Sequence, residues 1–306
     1  MPANLEDILI DYKHYLQLEK SLSHHSVDAY LRDVRKFIRF LESRGIRPVE
    51  PVHLNKDNLQ AFIYEISDKL HPRSQARLIS GLRNFFSYLL LEGILTTNPA
   101  DWMESPKIRK KLPEVLSPDE VDKMLEVTDK STYEGKRNFA LLEIMYAAGL
   151  RVSEAVGLKK SDIFFEEGFL RIRGKGGKHR FVPLEEYSAA VLRDFILNDL
   201  KNIEPKRGYE DYVFLSRRGK PLTRQMAFLI LKKVARKAGI RKIISPHTLR
   251  HSFATHLLNN GADLHSIQLL LGHENITTTE IYLHMSKKQI EDALFKYHPR
   301  ANPKKN

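Results

Sequence analysis

Apolar residues at helical spacing dominate the first 95 residues of this chain and leave little choice of fold there. Val27, Tyr30, Leu31, Val34, Phe37, Ile38 and Leu41 recur at steps of three, four and seven. They therefore form one stripe along a helix, with Ser23 placed to cap it and Gly45 to stop it. Ahead of it an amphipathic stretch runs from Leu5 to Glu19, so the striped helix is the second of the chain. A third begins near Asn55 with Leu59, Phe62, Ile63 and Ile66 inward, and a fourth runs from about Ser74 through Leu78, Leu82, Phe85 and Phe86. Each stripe needs others to cover it, so residues 1–95 are predicted to form a four-helix domain.

The face of the second helix opposite its stripe carries Arg32, Arg35, Lys36 and Arg39, and its first turn offers Ser23, His24, His25 and Ser26. Hydroxyls, imidazoles and free backbone N–H groups at a helix start suit phosphate oxygens. An ordinary cap and a solvated face would look the same, and both readings stay open. Ser23, His25, Ser26 and Arg32 are the candidate DNA contacts of this segment.

Residues 96–111 change character. Pro99, Pro106 and the cluster Lys107, Ile108, Arg109, Lys110, Lys111 predict an extended basic linker, in which Lys107 and Arg109 are candidates for lying along a DNA backbone. A second domain, residues 112–306, starts at Ser117-Pro118-Asp119-Glu120, a capping sequence with Pro at the first helical position. An apolar, buried helix is expected from Asn138 to about Ala148. Leu170 to Arg173 alternate, Gly174-Lys175-Gly176-Gly177 turn, and Lys178 to Pro183 return, which reads as a β-hairpin. A second hairpin is expected from Tyr212 to about Leu222. The fold class is thus mainly α, with a small antiparallel β-sheet in the second domain.

Charge is unevenly spread. The net charge is +12; residues 1–110 carry 16 Lys and Arg against 14 Asp and Glu, and residues 111–306 carry 34 against 24. A field of this sign attracts polyanions, though basic surfaces also serve solubility. The chain has no cysteine, which excludes disulfides, thiolate metal sites and cysteine nucleophiles. It shows neither a signal segment nor an apolar stretch of the roughly 18 to 20 residues that a membrane span needs, so a cytoplasmic protein is expected.

Between Pro246 and Tyr282 stand His247 and Arg250, three apart on one helix face, then Leu271-Gly272-His273, then Tyr282. Two imidazoles and a guanidinium can surround a phosphate that a phenol attacks. Upstream, Arg151 directly follows the buried helix and has Glu154 three residues on, so it can supply a second guanidinium or form a merely structural ion pair with Glu154. The hairpin tip is glycine-rich and basic, with five Lys and Arg and no acid over residues 171–180. That makes Lys175, Lys178 and Arg180 candidates for reaching phosphate.

Arg151 in Gly-Leu-Arg-x-Ser-Glu, Lys175 in Gly-Lys-Gly, His247-x-x-Arg250, Leu271-Gly272-His273 and Tyr282 resemble the catalytic set of the tyrosine recombinase (phage integrase) family. The resemblance spans nearly the whole chain, and Pro-His-Thr-Leu-Arg-His-Ser-Phe-Ala-Thr-His-Leu is similar to the Xer subgroup. It implies a SAM-like core-binding first domain and a catalytic second domain. It also implies Tyr282 as nucleophile and Lys175 as proton donor to the leaving 5′ oxygen, with no metal and no cofactor. The partner it implies is double-stranded DNA with a specific core site, bound by a tetrameric synaptic complex that resolves chromosome dimers. Whether that tetramer includes a related recombinase, and whether a DNA translocase contacts it, the residues leave open. A mobile-element integrase, a type IB topoisomerase-like relaxing enzyme and a non-catalytic DNA-binding regulator are the rival readings. On the tail, Ile290, Ala293, Leu294 and Tyr297 make an apolar stripe on a short helix, expected to dock on a neighbouring subunit or to fold back on its own domain.

Overall fold

The structure is a computed structural model that describes residues 5–20, 22–46, 53–67, 69–104, 106, 114–174, 179–272 and 287–301. The chain divides into two compact units, Met1–Lys111 and Leu112–Asn306.

The first unit is built from α1 (Leu5–Leu18), α2 (His24–Ser43), α3 (Lys56–Ser67) and α4 (Pro72–Leu91). Ser23 caps α2 by accepting from the Ser26 backbone N–H at 3.3 Å. The predicted stripe is buried except for Tyr30, which is half-buried; Phe37 meets Phe62 and Phe86 at ring-centroid distances of 5.3 and 5.9 Å. One buried group on α2 is not apolar: Asp33 is fully enclosed and is held by the Arg77 guanidinium, one of whose bonds measures 3.0 Å. Gly81 packs beside it, where a Cβ would stand in ordinary contact at 3.4 Å from the carboxylate. The domain also extends further than its composition suggests. Ala100 and Met103 pack into its core, so the first part of the predicted linker belongs to the first unit.

The second unit opens with the predicted capping box, in which Glu120 accepts from the Ser117 backbone at 2.7 Å and Ser117 from the Glu120 backbone at 3.2 Å. It starts α5 (Pro118–Glu126). The buried helix α6 spans Tyr133–Ala147, beginning five residues before the predicted Asn138, capped by Thr132. Its early turns are polar, and Arg137 is buried with a bond to the Leu215 carbonyl at 3.1 Å, which hid the start from a search for apolar residues. After α7 (Val152–Val156) comes an antiparallel sheet in the order β1 (Ile163–Phe164), β2 (Phe169–Arg173), β3 (His179–Pro183). The predicted hairpin is β2 and β3, paired in the register Ile172 to Arg180 and Arg173 to His179; β1, two residues long, is too short to leave a periodic signal.

The expected second hairpin reduces to one isolated bridge, Leu215 to Pro221, closed by Ser216 donating to Lys220 O at 2.8 Å. Among the described residues, α8 (Glu186–Asp194) is followed by α9 (Arg224–Lys237), α10 (Pro246–Asn259), α11 (Leu264–Leu271) and α12 (Lys287–Tyr297). The core centres on α6, whose Leu141, Ile144 and Tyr146 are fully buried among α5, α8 and α10. Ala293 and Leu294 of α12 are buried, and the helix packs on α10, α11 and β3. The tail therefore folds back on its own unit, and Asn260 ties it down by donating to Tyr297 O at 2.6 Å. The side chain of Ile290 lies outside the described residues. Among the described residues no helix is long and apolar enough to cross a membrane.

Candidate active site

Three chain turns of the second unit meet at one carboxylate. The first is the end of α6, where Gly149 takes φ +58° and reverses the chain; a side chain there would strike the Phe253 ring, its Cβ 2.6 Å from the nearest ring carbon. Two residues on, Arg151 stands at the N-cap of α7. Glu154, in the first turn of α7, accepts from the Arg151 backbone N–H at 2.7 Å and from its Nη1 at 2.8 Å. This contact orients Arg151 without consuming it, because Nη2 reaches on to the Gly272 carbonyl at 3.2 Å and the side chain stays 37% exposed.

The second turn is the start of α10. Ser245 and Thr248 form its capping box, Pro246 fills the first position, and His247 lies exposed in the first turn. Arg250, one turn later, is buried. Its Nη1 donates to Gly149 O at 2.8 Å and its Nη2 to Leu271 O, and Nη1 stands 3.8 Å from Glu154. The third is the end of α11, where Gly272 caps the helix in the left-handed region at φ +65°.

The sequence reading placed Arg180 on a phosphate-reaching hairpin, and the structure corrects this. Arg180 is 6% exposed and its fork closes on Glu154, Nη1 to Oε1 at 2.7 Å and Nη2 to Oε2 at 2.8 Å, with Nε donating to Leu270 O at 3.1 Å. The reason is strand alternation. On β3, Arg180 and Val182 are buried while His179 is exposed and Phe181 half-buried, so Arg180 faces the core. That period of two was the signal that could have found it.

Three guanidiniums thus surround one carboxylate, an excess of two positive charges. Burial would raise the Glu154 pKa, but Arg180 first, then the Arg151 backbone and side chain, hold it below the ordinary carboxylate range. Burial and the neighbouring Arg151 and Arg180 charges push Arg250 down to about 9, so it is still a cation at neutral pH. Repulsion of this kind is relieved by an anion. Among the described residues the cluster offers a metal no second carboxylate or imidazole. The one group of potential metal ligands among them is His24, His25 and Asp28 on the first unit.

Of the predicted site residues, then, Arg151, Glu154 and Arg250 come together, with His247 on the same helix as Arg250. Lys175, His273 and Tyr282 lie outside the described residues, as do Lys107, Arg109 and Lys178. On the first unit, Ser23 and Ser26 are engaged in the α2 cap, their hydroxyls 2.9 Å apart, while His25 and Arg32 are exposed. Sequence reasoning missed the carbonyls of Gly149, Leu270, Leu271 and Gly272, which aim the guanidiniums. Backbone acceptors leave no trace in side-chain patterns.

The second unit matches the phage integrase family over residues 114–289, and the first matches the phage integrase N-terminal SAM-like domain over residues 9–93. Tyrosine recombinase XerD of Listeria innocua serovar 6a is 42% identical over 299 residues, covering 97% of this chain and 100% of the relative. XerD of Staphylococcus aureus is 38% identical over 301 residues, again covering 97% and 100%. Among solved structures, the XerH site-specific recombinase bound to its difH substrate in a pre-cleavage complex aligns with TM-score 0.67 at 24% identity, over 96% of each chain. A lambda integrase dimer bound to a COC′ core site aligns with TM-score 0.66 at 20% identity, over 89% of this chain and 96% of that one.

Proposed function

The chain belongs to the phage integrase family as a tyrosine recombinase of the Xer type, and from that premise we propose how its residues cut and rejoin DNA. The observation that carries the reading is the cluster just described, in which separate turns of the second unit aim Arg151 and Arg250 from one buried carboxylate.

Tyr282 is the proposed nucleophile. A phenol of pKa about 10 is only about one part in a thousand ionised at neutral pH, so its attack needs cations nearby and a group to take its proton. The Tyr282 hydroxyl gives up its proton to the surrounding water as its oxygen bonds to phosphorus and the bond to the 5′ oxygen breaks. In the trigonal-bipyramidal state between, the phosphoryl group carries two negative charges where the diester carried one, which answers the excess charge of the arginine cluster. Arg151 and Arg250, with His247 and His273, bind the non-bridging oxygens. Lys175 delivers a proton to the departing 5′ oxygen. The product is a 3′-phosphotyrosine that keeps the bond energy, so the 5′-hydroxyl of another strand can reverse the attack without ATP or metal.

The substrate is double-stranded DNA with a specific core site. Exchange of both strands between two duplexes takes four active sites, so the proposed assembly is a tetramer across two sites, and the proposed role is chromosome dimer resolution in the cytoplasm. The near-full-length match to XerD relatives supports that role over a mobile-element integrase. A type IB topoisomerase would rejoin the same strand and act alone.

The test is strand exchange. A plasmid carrying two direct repeats of a core site, selected from genomic fragments by binding to the purified protein, should be resolved into two circles in the presence of EDTA. Relaxation of supercoils without circle resolution would replace the recombinase reading with the topoisomerase one. The proton-donor assignment has its own check. Lys175→Ala should slow cleavage of an ordinary nicked site by about 10² to 10³-fold, yet cut a 5′-phosphorothiolate, whose sulfur leaves without a proton, at close to the wild-type rate. Equal loss on both substrates would remove Lys175 from that role.

A further inference from the structure

We propose that Arg180 is a positioning residue of the cleavage site: by holding both oxygens of Glu154 it keeps that carboxylate from neutralising Arg151 and Arg250, and so leaves their charge for the phosphate. The inference rests on the reading of Arg151 and Arg250 as the phosphate-binding pair.

The geometry separates the three arginines by what they can reach. The side chain of Arg151 is 37% exposed and that of Arg250 10%, whereas the side chain of Arg180 is 5% exposed, with all three of its nitrogens bonded inside the unit. It cannot touch DNA. Its stem is fixed as well: a Cβ on Gly272 would lie 2.8 Å from Arg180 Cδ, so the end of α11 packs directly against it. Glu154 gives its best interaction, the fork-to-fork pair, to this inner arginine. Arg151 receives a single side-chain bond at 2.8 Å, and Arg250 stands off at 3.8 Å.

Without Arg180 the carboxylate would still be buried and would still need cations. Arg151 is already within reach, and Arg250 lies an ångström away from bonding distance. Both would turn toward Glu154, and the cluster would fall from two excess positive charges to one. The carboxylate that aims the arginines would then compete with the substrate for them. Arg180 removes that competition by being the stronger partner.

The experiment compares the wild type, Arg180→Met, Glu154→Gln and the double variant for single-turnover cleavage of a nicked core site at saturating protein, alongside DNA-binding midpoint and thermal unfolding. Arg180→Met should remain bound with an unchanged midpoint and cleave about 10 to 100-fold more slowly. Removing the freed carboxylate should help, so the double variant should cleave faster than Arg180→Met. Once Glu154 is neutral, Arg180 should no longer matter, and the double variant should match Glu154→Gln within about twofold. That last comparison stands even where Arg180→Met alone fails to fold. A double variant as slow as Arg180→Met, or far slower than Glu154→Gln, would overturn the proposal, as would a loss confined to DNA binding. Arg250→Ala is run in parallel: normal cleavage by that variant would fail the underlying reading, whereas its loss together with a silent Arg180→Met would fail only this inference.

Discussion

Arg250→Ala is expected to slow cleavage of a bound core site by about 10² to 10³-fold, equivalent to about 3 to 4 kcal/mol, while shifting the DNA-binding midpoint little. The effect is expected on the rate because Arg250 is buried in the second unit, and in the proposed mechanism its charge acts on the one phosphate at which charge develops. Affinity for DNA, by contrast, comes from many backbone phosphate contacts, so losing one cation from the site should change it little. The variant should stay folded. Arg250 is a cation whose ionised form is disfavoured by burial and by the Arg151 and Arg180 charges, so its removal relieves repulsion even as it frees the carbonyls of Gly149 and Leu271. Arg250→Lys should also be slow, because an ammonium keeps the charge but cannot span those two carbonyls and a phosphate oxygen with a planar fork. Urea unfolding and quenched-flow cleavage separate the two effects. A rate within about threefold of the wild type would show that the guanidinium is structural only.

The helices were legible where one face is apolar and the other is not. The stripe from Val27 to Leu41 gave α2 and its cap at Ser23 directly. The same logic fails wherever a charge is buried. Arg137 made the start of α6 look like surface, Asp33 is indistinguishable in sequence from its solvated neighbours, and Arg180 looked like one more cation on a basic hairpin. Only the spatial partner, Leu215 O, Arg77 or Glu154, shows that such a charge points inward. The tail shows a different limit. Its apolar stripe demands a cover, but a stripe does not say whether that cover is α10 and α11 of the same chain or a neighbour's surface, and in the single chain it is the former. Of the site residues named from their types and order, Arg151, Glu154 and Arg250 are the ones that come together among the described residues. What joins them could not be read, because it runs through backbone carbonyls and one inner arginine.

Tyr282→Phe has the largest expected effect of any single change, since it deletes only the oxygen proposed to attack. The variant should bind its core site as the wild type does, because one hydroxyl adds little to an interface dominated by backbone phosphates, and should form no covalent complex at all. The most direct measurement is to trap the protein on a nicked suicide substrate, whose short leaving strand diffuses away, and to identify the linked side chain by peptide mapping. The expected result is a 3′-phosphotyrosine at Tyr282 that forms equally in EDTA and is absent from Tyr282→Phe. An adduct that persists in Tyr282→Phe, a linkage at another side chain, or no adduct from the wild type on a verified binding site would contradict tyrosine-based cleavage by this chain.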